Sequence, residues 1–152
     1  MDIAETFAET FVGIDVSKDR LDVHVHPAGE AFAVARDAEG LDQLLARLAP
    51  LKPVLVAIEA TGGFETIAAA HLAAAGLPVA VVNPAQVRAF ATALGKRAKT
   101  DPIDALVIAR FAATARPQPK PAPDETLQAL GDLVTRRRQI VAMIGAEKQR
   151  EK

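Results

Sequence analysis

The chain contains no cysteine, no tryptophan and no tyrosine, and its aromatic content is six phenylalanines in 152 residues. Without cysteine there is no disulfide, no thiolate zinc or iron–sulfur site and no cysteine nucleophile. Half of the residues are hydrophobic but only 4% are aromatic, so the apolar content is aliphatic and alanine. That composition suits helices laid on a sheet better than a β-sandwich. No run reaches the ~20 apolar residues needed to span a bilayer. Met1–Thr10 is acidic, unlike the basic start of a secretory signal. These absences point to a soluble, cytoplasmic protein with no membrane partner. Net charge is also nearly absent, at −1. A chain of this length buries roughly 70% of its unfolded surface, so no covalent staple is required.

What is present is a change of hydrophobic period along the chain. Phe11–Ser17 alternates, with Val12, Ile14 and Val16 opposite Gly13, Asp15 and Ser17. Leu21–His26 alternates again, Pro27-Ala28-Gly29 turns the chain, and Ala31–Ala35 reads as a third strand. Three such runs joined by short connections predict an antiparallel meander. Leu41, Leu44, Leu45 and Leu48 then fall on one helical face, closed by Pro50–Pro53. Val54–Ile58 and Val79–Val82 are continuous apolar runs, the pattern of strands covered on both faces. Helices are predicted over Phe64–Ala75, through Val87, Phe90, Ala91 and Leu94, and from about Pro102 to Ala115. The order β-β-β-α-β-α-β-α is an α/β mixed sheet with flanking helices, the order of a ribonuclease-H-like fold. Residues 1–10 are expected to be a flexible leader, 11–115 the folded domain and 116–125 a proline-rich linker. From Thr126 a long coiled-coil-like helix is expected to begin a connector (126–152), broken off before a following domain.

The charge distribution is uneven. Arg88, Lys96, Arg97 and Lys99 fall in an acid-free stretch, and Arg136, Arg137 and Arg138 form a second basic cluster. Both are candidates for phosphate contacts, or are solvated helix faces. Ser17 and Lys18 are open to a phosphate contact or to a turn. Four carboxylates carry more information. Asp15 lies mid-strand, Glu59 closes a strand buried on both sides, and Asp101 and Asp104 stand three apart at a helix start. The C-terminal end of a central strand is where open α/β sheets bind ligands. Four converging acids would make a hard oxygen site for Mg²⁺ or Mn²⁺. Two such ions about 4 Å apart can drive phosphodiester chemistry. Each acid also has a plainer explanation, since Asp101-Pro102 is good helix-capping chemistry. His24, His26 and His71 lack metal-binding context, and no Walker loop, G-x-G-x-x-G or G-x-S-x-G is present.

Three segments resemble a known family: Gly13-Ile14-Asp15-Val16-Ser17-Lys18, Glu59-Ala60-Thr61-Gly62 and Lys99-Thr100-Asp101-Pro102-Ile103-Asp104-Ala105. They look like the three signatures of the DEDD transposases, bacterial insertion-sequence enzymes related to the Piv invertase, some of them guided by a bridge RNA. Asn83-Pro84-x-x-Val87-Arg88 is similar to the family as well. The resemblance implies a RuvC-like domain with Asp15, Glu59, Asp101 and Asp104 as a catalytic, Mg²⁺-binding tetrad. It also implies DNA as partner, a bridge RNA in some members, assembly as a dimer or higher oligomer, and association with the nucleoid. In the family a second domain carries a serine that completes a composite site, so this chain would be inactive alone. Two other readings stay open here: a non-catalytic nucleic-acid-binding or dimerisation module, and half of an actin-like ATPase. The second requires a glycine-rich phosphate turn that Asp15-Val16-Ser17-Lys18-Asp19 does not supply.

Overall fold

The computed structural model describes residues 9–95, 104–119 and 136. Five strands form one mixed sheet in the order β3-β2-β1-β4-β5. β1 (Phe11–Val16), β2 (Arg20–His26) and β3 (Glu30–Ala35) are the expected antiparallel meander. β4 (Leu55–Glu59) returns beside β1 in parallel, and β5 (Val79–Val82) pairs with β4, also in parallel. The helices are α1 (Ala38–Leu48), α2 (Glu65–Ala74), α3 (Pro84–Ala93) and α4 (Ala105–Ala115), with a 3₁₀ turn at Ala49–Leu51 after α1. This is an α/β fold compatible with a ribonuclease-H-like architecture.

Strand alternation sorts the side chains into two cores. Val12, Ile14, Leu21, Val23, Val56 and Ile58 pack against Leu41, Leu44, Leu48 and Leu72 of α1 and α2. Phe11, Leu55, Ala57, Ala80 and Val82 point the other way, onto Val87 and Ala91 of α3 and Ile108, Phe111 and Ala112 of α4. Phe90 and Phe111 meet edge-on, with ring centroids 5.7 Å apart.

Local chemistry explains the element ends. α1 starts at Ala38, before the leucine stripe, because the Asp37 side chain accepts from the Gly40 amide at 2.7 Å. Removing that cap with Asp37→Ala should cost about 1 kcal/mol in chemical denaturation. α3 starts on the Asn83-Pro84 pair, with the Asn83 side chain accepting from the Ala85 amide. α2 has no such cap. Instead the Glu65 carboxylate folds back to accept from the amides of Thr61 and Gly63, each at 3.0 Å, across a turn where Gly62 and Gly63 take φ of 69° and 101°.

Two expectations need correction. β5 was read as covered on both faces, but it is an edge strand and Val81 is 51% exposed. The last helix was expected from about Pro102 with Asp101 as its cap. It begins at Ala105, with Asp104 as N-cap in an extended conformation and its side chain accepting from the Val107 amide at 3.1 Å. Residues 116–119 carry no regular secondary structure, and the expected long helix after Thr126 lies outside the described residues, apart from a helical Arg136.

Candidate acidic site

β1 and β4 run in parallel with Ile14 beside Ile58, so the next residues, Asp15 and Glu59, emerge side by side at the same end of the sheet. Alternation turns both toward the face covered by α3 and α4, the side shared by Phe11, Leu55 and Ala57. Asp104 arrives from α4. That helix lies so close over β1 that a Cβ on Gly13 would fall 2.9 Å from the Ala109 Cα and closer still to the Ala105 carbonyl. The bare glycine thus seats the first turn of α4 on β1 and carries Asp104 toward Asp15. Asp101 lies outside the described residues.

The electrostatics show the carboxylates interacting. Glu59 is the one buried charged residue among those described, 6% exposed. Burial raises its pKa first, the Asp15 charge raises it further, and Arg88 pulls it down. Asp15 is raised by burial, then by Asp22 and Asp104, with only Arg20 opposing. Asp22 belongs to the same group, although in the alternation of Leu21–His26 it is simply one of the polar positions. The hairpin register places it directly across from Asp15, on the same face, where Arg20 pairs with it. The Ser17–Arg20 turn was the signal for that register: the Ser17 amide and hydroxyl both donate to the Arg20 carbonyl. Ser17 therefore has the turn role.

An acid raised by folding contributes stability below its ordinary pKa and loses it as pH rises through the raised value. In metal-free buffer, the stability of Glu59→Gln relative to wild type should therefore increase as pH rises from about 4. Urea denaturation of both proteins across pH checks this.

An open cleft of about 600 Å³ runs from these acids over β2 and β3, lined by Asp15, Asp22, His24, Ala33, Asp104 and Leu106. Burial and neighbouring His26 lower the His24 pKa, against a raising effect of Asp104, which favours a neutral ring. Among the described residues no group of three or more His, Asp or Glu side chains stands close enough to hold a metal ion. Asp104 is turned onto its own helix end. Asp15 and Glu59, whose charges act on one another, carry hard carboxylate oxygens whose mutual repulsion a divalent cation would relieve. Two residues past Glu59, the buried Thr61 hydroxyl has no hydrogen-bond partner among the described residues. Carboxylate oxygens are the donor type that Mg²⁺ or Mn²⁺ takes, but the described residues alone do not complete a ligand set. Of the predicted basic residues, Lys18 is exposed in the loop after β1, Arg88 is exposed on α3 within reach of the Glu59 charge, and Arg136 is exposed. Lys96, Arg97, Lys99, Arg137 and Arg138 lie outside the described residues.

Mixed sheet, flanking helices and paired acids at adjacent strand ends define an α/β domain built around a carboxylate centre. Residues 12–152 match the model of the IS110-type DEDD transposase family, described as "Transposase", and the chain belongs to that family. It is 30% identical over 132 residues to the pilin gene-inverting proteins of Moraxella lacunata and Moraxella bovis. These alignments take in 81% of this chain and 41% of each relative, so the chain spans about two-fifths of the length of the curated relatives it matches. No helix among the described residues is long and apolar enough to cross a membrane.

Proposed function

We propose that this chain is the RuvC-like part of a DNA transposase, in which Asp15, Glu59, Asp101 and Asp104 hold a divalent metal, Mg²⁺ or Mn²⁺, for DNA cleavage and strand transfer. The observation that carries the reading is the side-by-side emergence of Asp15 and Glu59 at the ends of β1 and β4, with α4 bringing Asp104 to them. The relatives' name, which states inversion of a gene, supports DNA rearrangement as the reaction class. Bound there, the metal would polarise a phosphodiester and stabilise the leaving oxygen. The chain's own part is to place acceptors. Glu59 is held rigidly by its buried strand, Asp15 by the central strand, and Asp104 by its cap on α4. Lys18, Arg88, Lys96, Arg97, Lys99, Arg136, Arg137 and Arg138 supply cations for the DNA phosphates, which position a duplex without reading its sequence. Pairing with a second copy, with a guide RNA and with a serine-bearing domain belong to the same reading.

Thermal unfolding with and without millimolar Mg²⁺ or Mn²⁺, on wild type and on Glu59→Gln, tests it. A ligand bound only by the folded state at tenfold its Kd adds about 1.4 kcal/mol. In a chain of this size that is a rise in Tm of about 3–6 °C. The rise should be present in wild type and largely lost in Glu59→Gln. A wild type indifferent to both metals would overturn the metal reading.

A further inference from the structure

The described residues contain three arginines stacked on phenylalanine rings, and they are not equivalent. Arg47 lies over Phe32 with its charge centre 3.6 Å from the ring centroid, and Glu30 pairs with it. Arg116 lies over Phe11 at 5.1 Å and is held by Glu9 at 2.9 Å. Arg36 lies over Phe64 at 4.6 Å, and among the described residues no carboxylate pairs with it. Its Nε donates to the Lys18 carbonyl at 2.6 Å, and its backbone amide to the Asp19 carbonyl at 3.0 Å. The terminal nitrogens of its guanidinium therefore keep donors and charge unspent. Phe64 is 42% exposed, so the stack faces water where the other two are closed.

Position gives this stack a meaning. Arg36 follows β3, Lys18 follows β1 and Phe64 follows β4, three strands that run in the same direction. All three loops therefore sit at the sheet end where Asp15 and Glu59 emerge. The acids open toward α3 and α4, whereas Arg36 and Phe64 lead into α1 and α2. A polymer crossing that end of the sheet meets both.

We propose that Phe64, Arg36 and Lys18 form a platform for an unpaired nucleic-acid strand beside the acidic site. A base stacks on the face of the exposed Phe64 ring that Arg36 does not cover, and Arg36 and Lys18 bind the flanking phosphates. A flat aromatic face with adjacent cations is how proteins hold single strands with little sequence preference. Arg36 is fit for this because its guanidinium binds phosphate by a fork while remaining stacked. Asp19, exposed in the same loop, limits how closely phosphates can pass, so ring stacking carries the larger share. The proposal rests on the nucleic-acid reading above but not on the metal.

The test is fluorescence anisotropy of a labelled mixed-sequence single-stranded 20-mer titrated with the 152-residue chain in EDTA, alongside its duplex. Wild type should prefer the single strand. Phe64→Ala and Phe64→Leu should each weaken that binding about tenfold to a hundredfold, and leave any metal-induced rise in Tm unchanged. Phe64→Leu keeps apolar volume and removes only the π-face, so a loss there is not a folding defect. Arg36→Lys keeps the charge and loses the fork and the stack, so it should weaken binding less and leave the salt slope nearly unchanged. Equal binding by wild type and Phe64→Leu, or no single-strand binding by wild type, would overturn the platform. A lost metal response with the Phe64 effect intact would overturn the metal reading and leave the platform standing.

Discussion

Gly13→Val should cost at least about 3 kcal/mol and disconnect Asp104 from Asp15. The glycine lies on β1 directly beneath α4, and even a methyl group would meet the Ala105 carbonyl and the backbone of Ala109. Neither obstacle is a flexible side-chain tip; both are helix backbone. Overpacking in a core ordinarily costs about 1–3 kcal/mol, and relief here demands that a whole helix lift. Ile108, Ala109 and Ala112 on the inner face of α4 are fully buried, so lifting the helix also exposes apolar surface. Urea denaturation gives the loss of stability. Gly13→Ala is the milder comparison, expected to fall between valine and wild type. If Gly13→Ala is as stable as wild type, the close seating of α4 on β1 is not what holds Asp104 in place.

Asp15→Asn should move activity and stability in opposite directions. On the function proposed above, Mn²⁺-dependent DNA strand cleavage, assayed with the proposed serine-bearing domain supplied, should fall about a hundredfold to a thousandfold, the scale at which a lost electrostatic stabiliser acts. In metal-free buffer the same substitution should stabilise the fold by about 0.5–2 kcal/mol. The physical cause is common to both effects. Asp15 is held against burial and against the charges of Asp22 and Asp104, with only Arg20 in its favour. A carboxylate kept in that setting is strained for folding and useful for a cation. A variant that lost cleavage and also lost stability would instead make Asp15 a structural residue.

Most of the architecture was legible because two periods were written without ambiguity. The alternation in Phe11–Val16 and the leucine stripe Leu41–Leu48 are local patterns, and each became the element it announced. Where reading failed, a neighbour decided. Val81 sits in an apolar run indistinguishable from a buried strand, but at this margin of the sheet the cover over its face stops short: Val79 on the same face is buried and Val81 is 51% exposed. The start of α4 was misplaced because Asp101-Pro102 and Asp104 are both competent caps, and it is the side chain of Asp104 that accepts from the helix amide.

The inventory was readable segment by segment: strands, helices, absence of thiol chemistry, Asp15 within a strand and Glu59 at the end of another. These follow from residue type and period, which are properties of short segments. Which of them come together was settled in three dimensions. The hairpin register brought Asp22 across from Asp15, the parallel pairing of β1 and β4 set Glu59 beside it, and Gly13 let α4 come close. Likewise, nothing local distinguishes Arg36 from Arg47 or Arg116. The difference is that Glu30 and Glu9 come from other parts of the chain to close two of the three stacks. Pairing between strands and seating of helices are long-range events, and the site is made of little else.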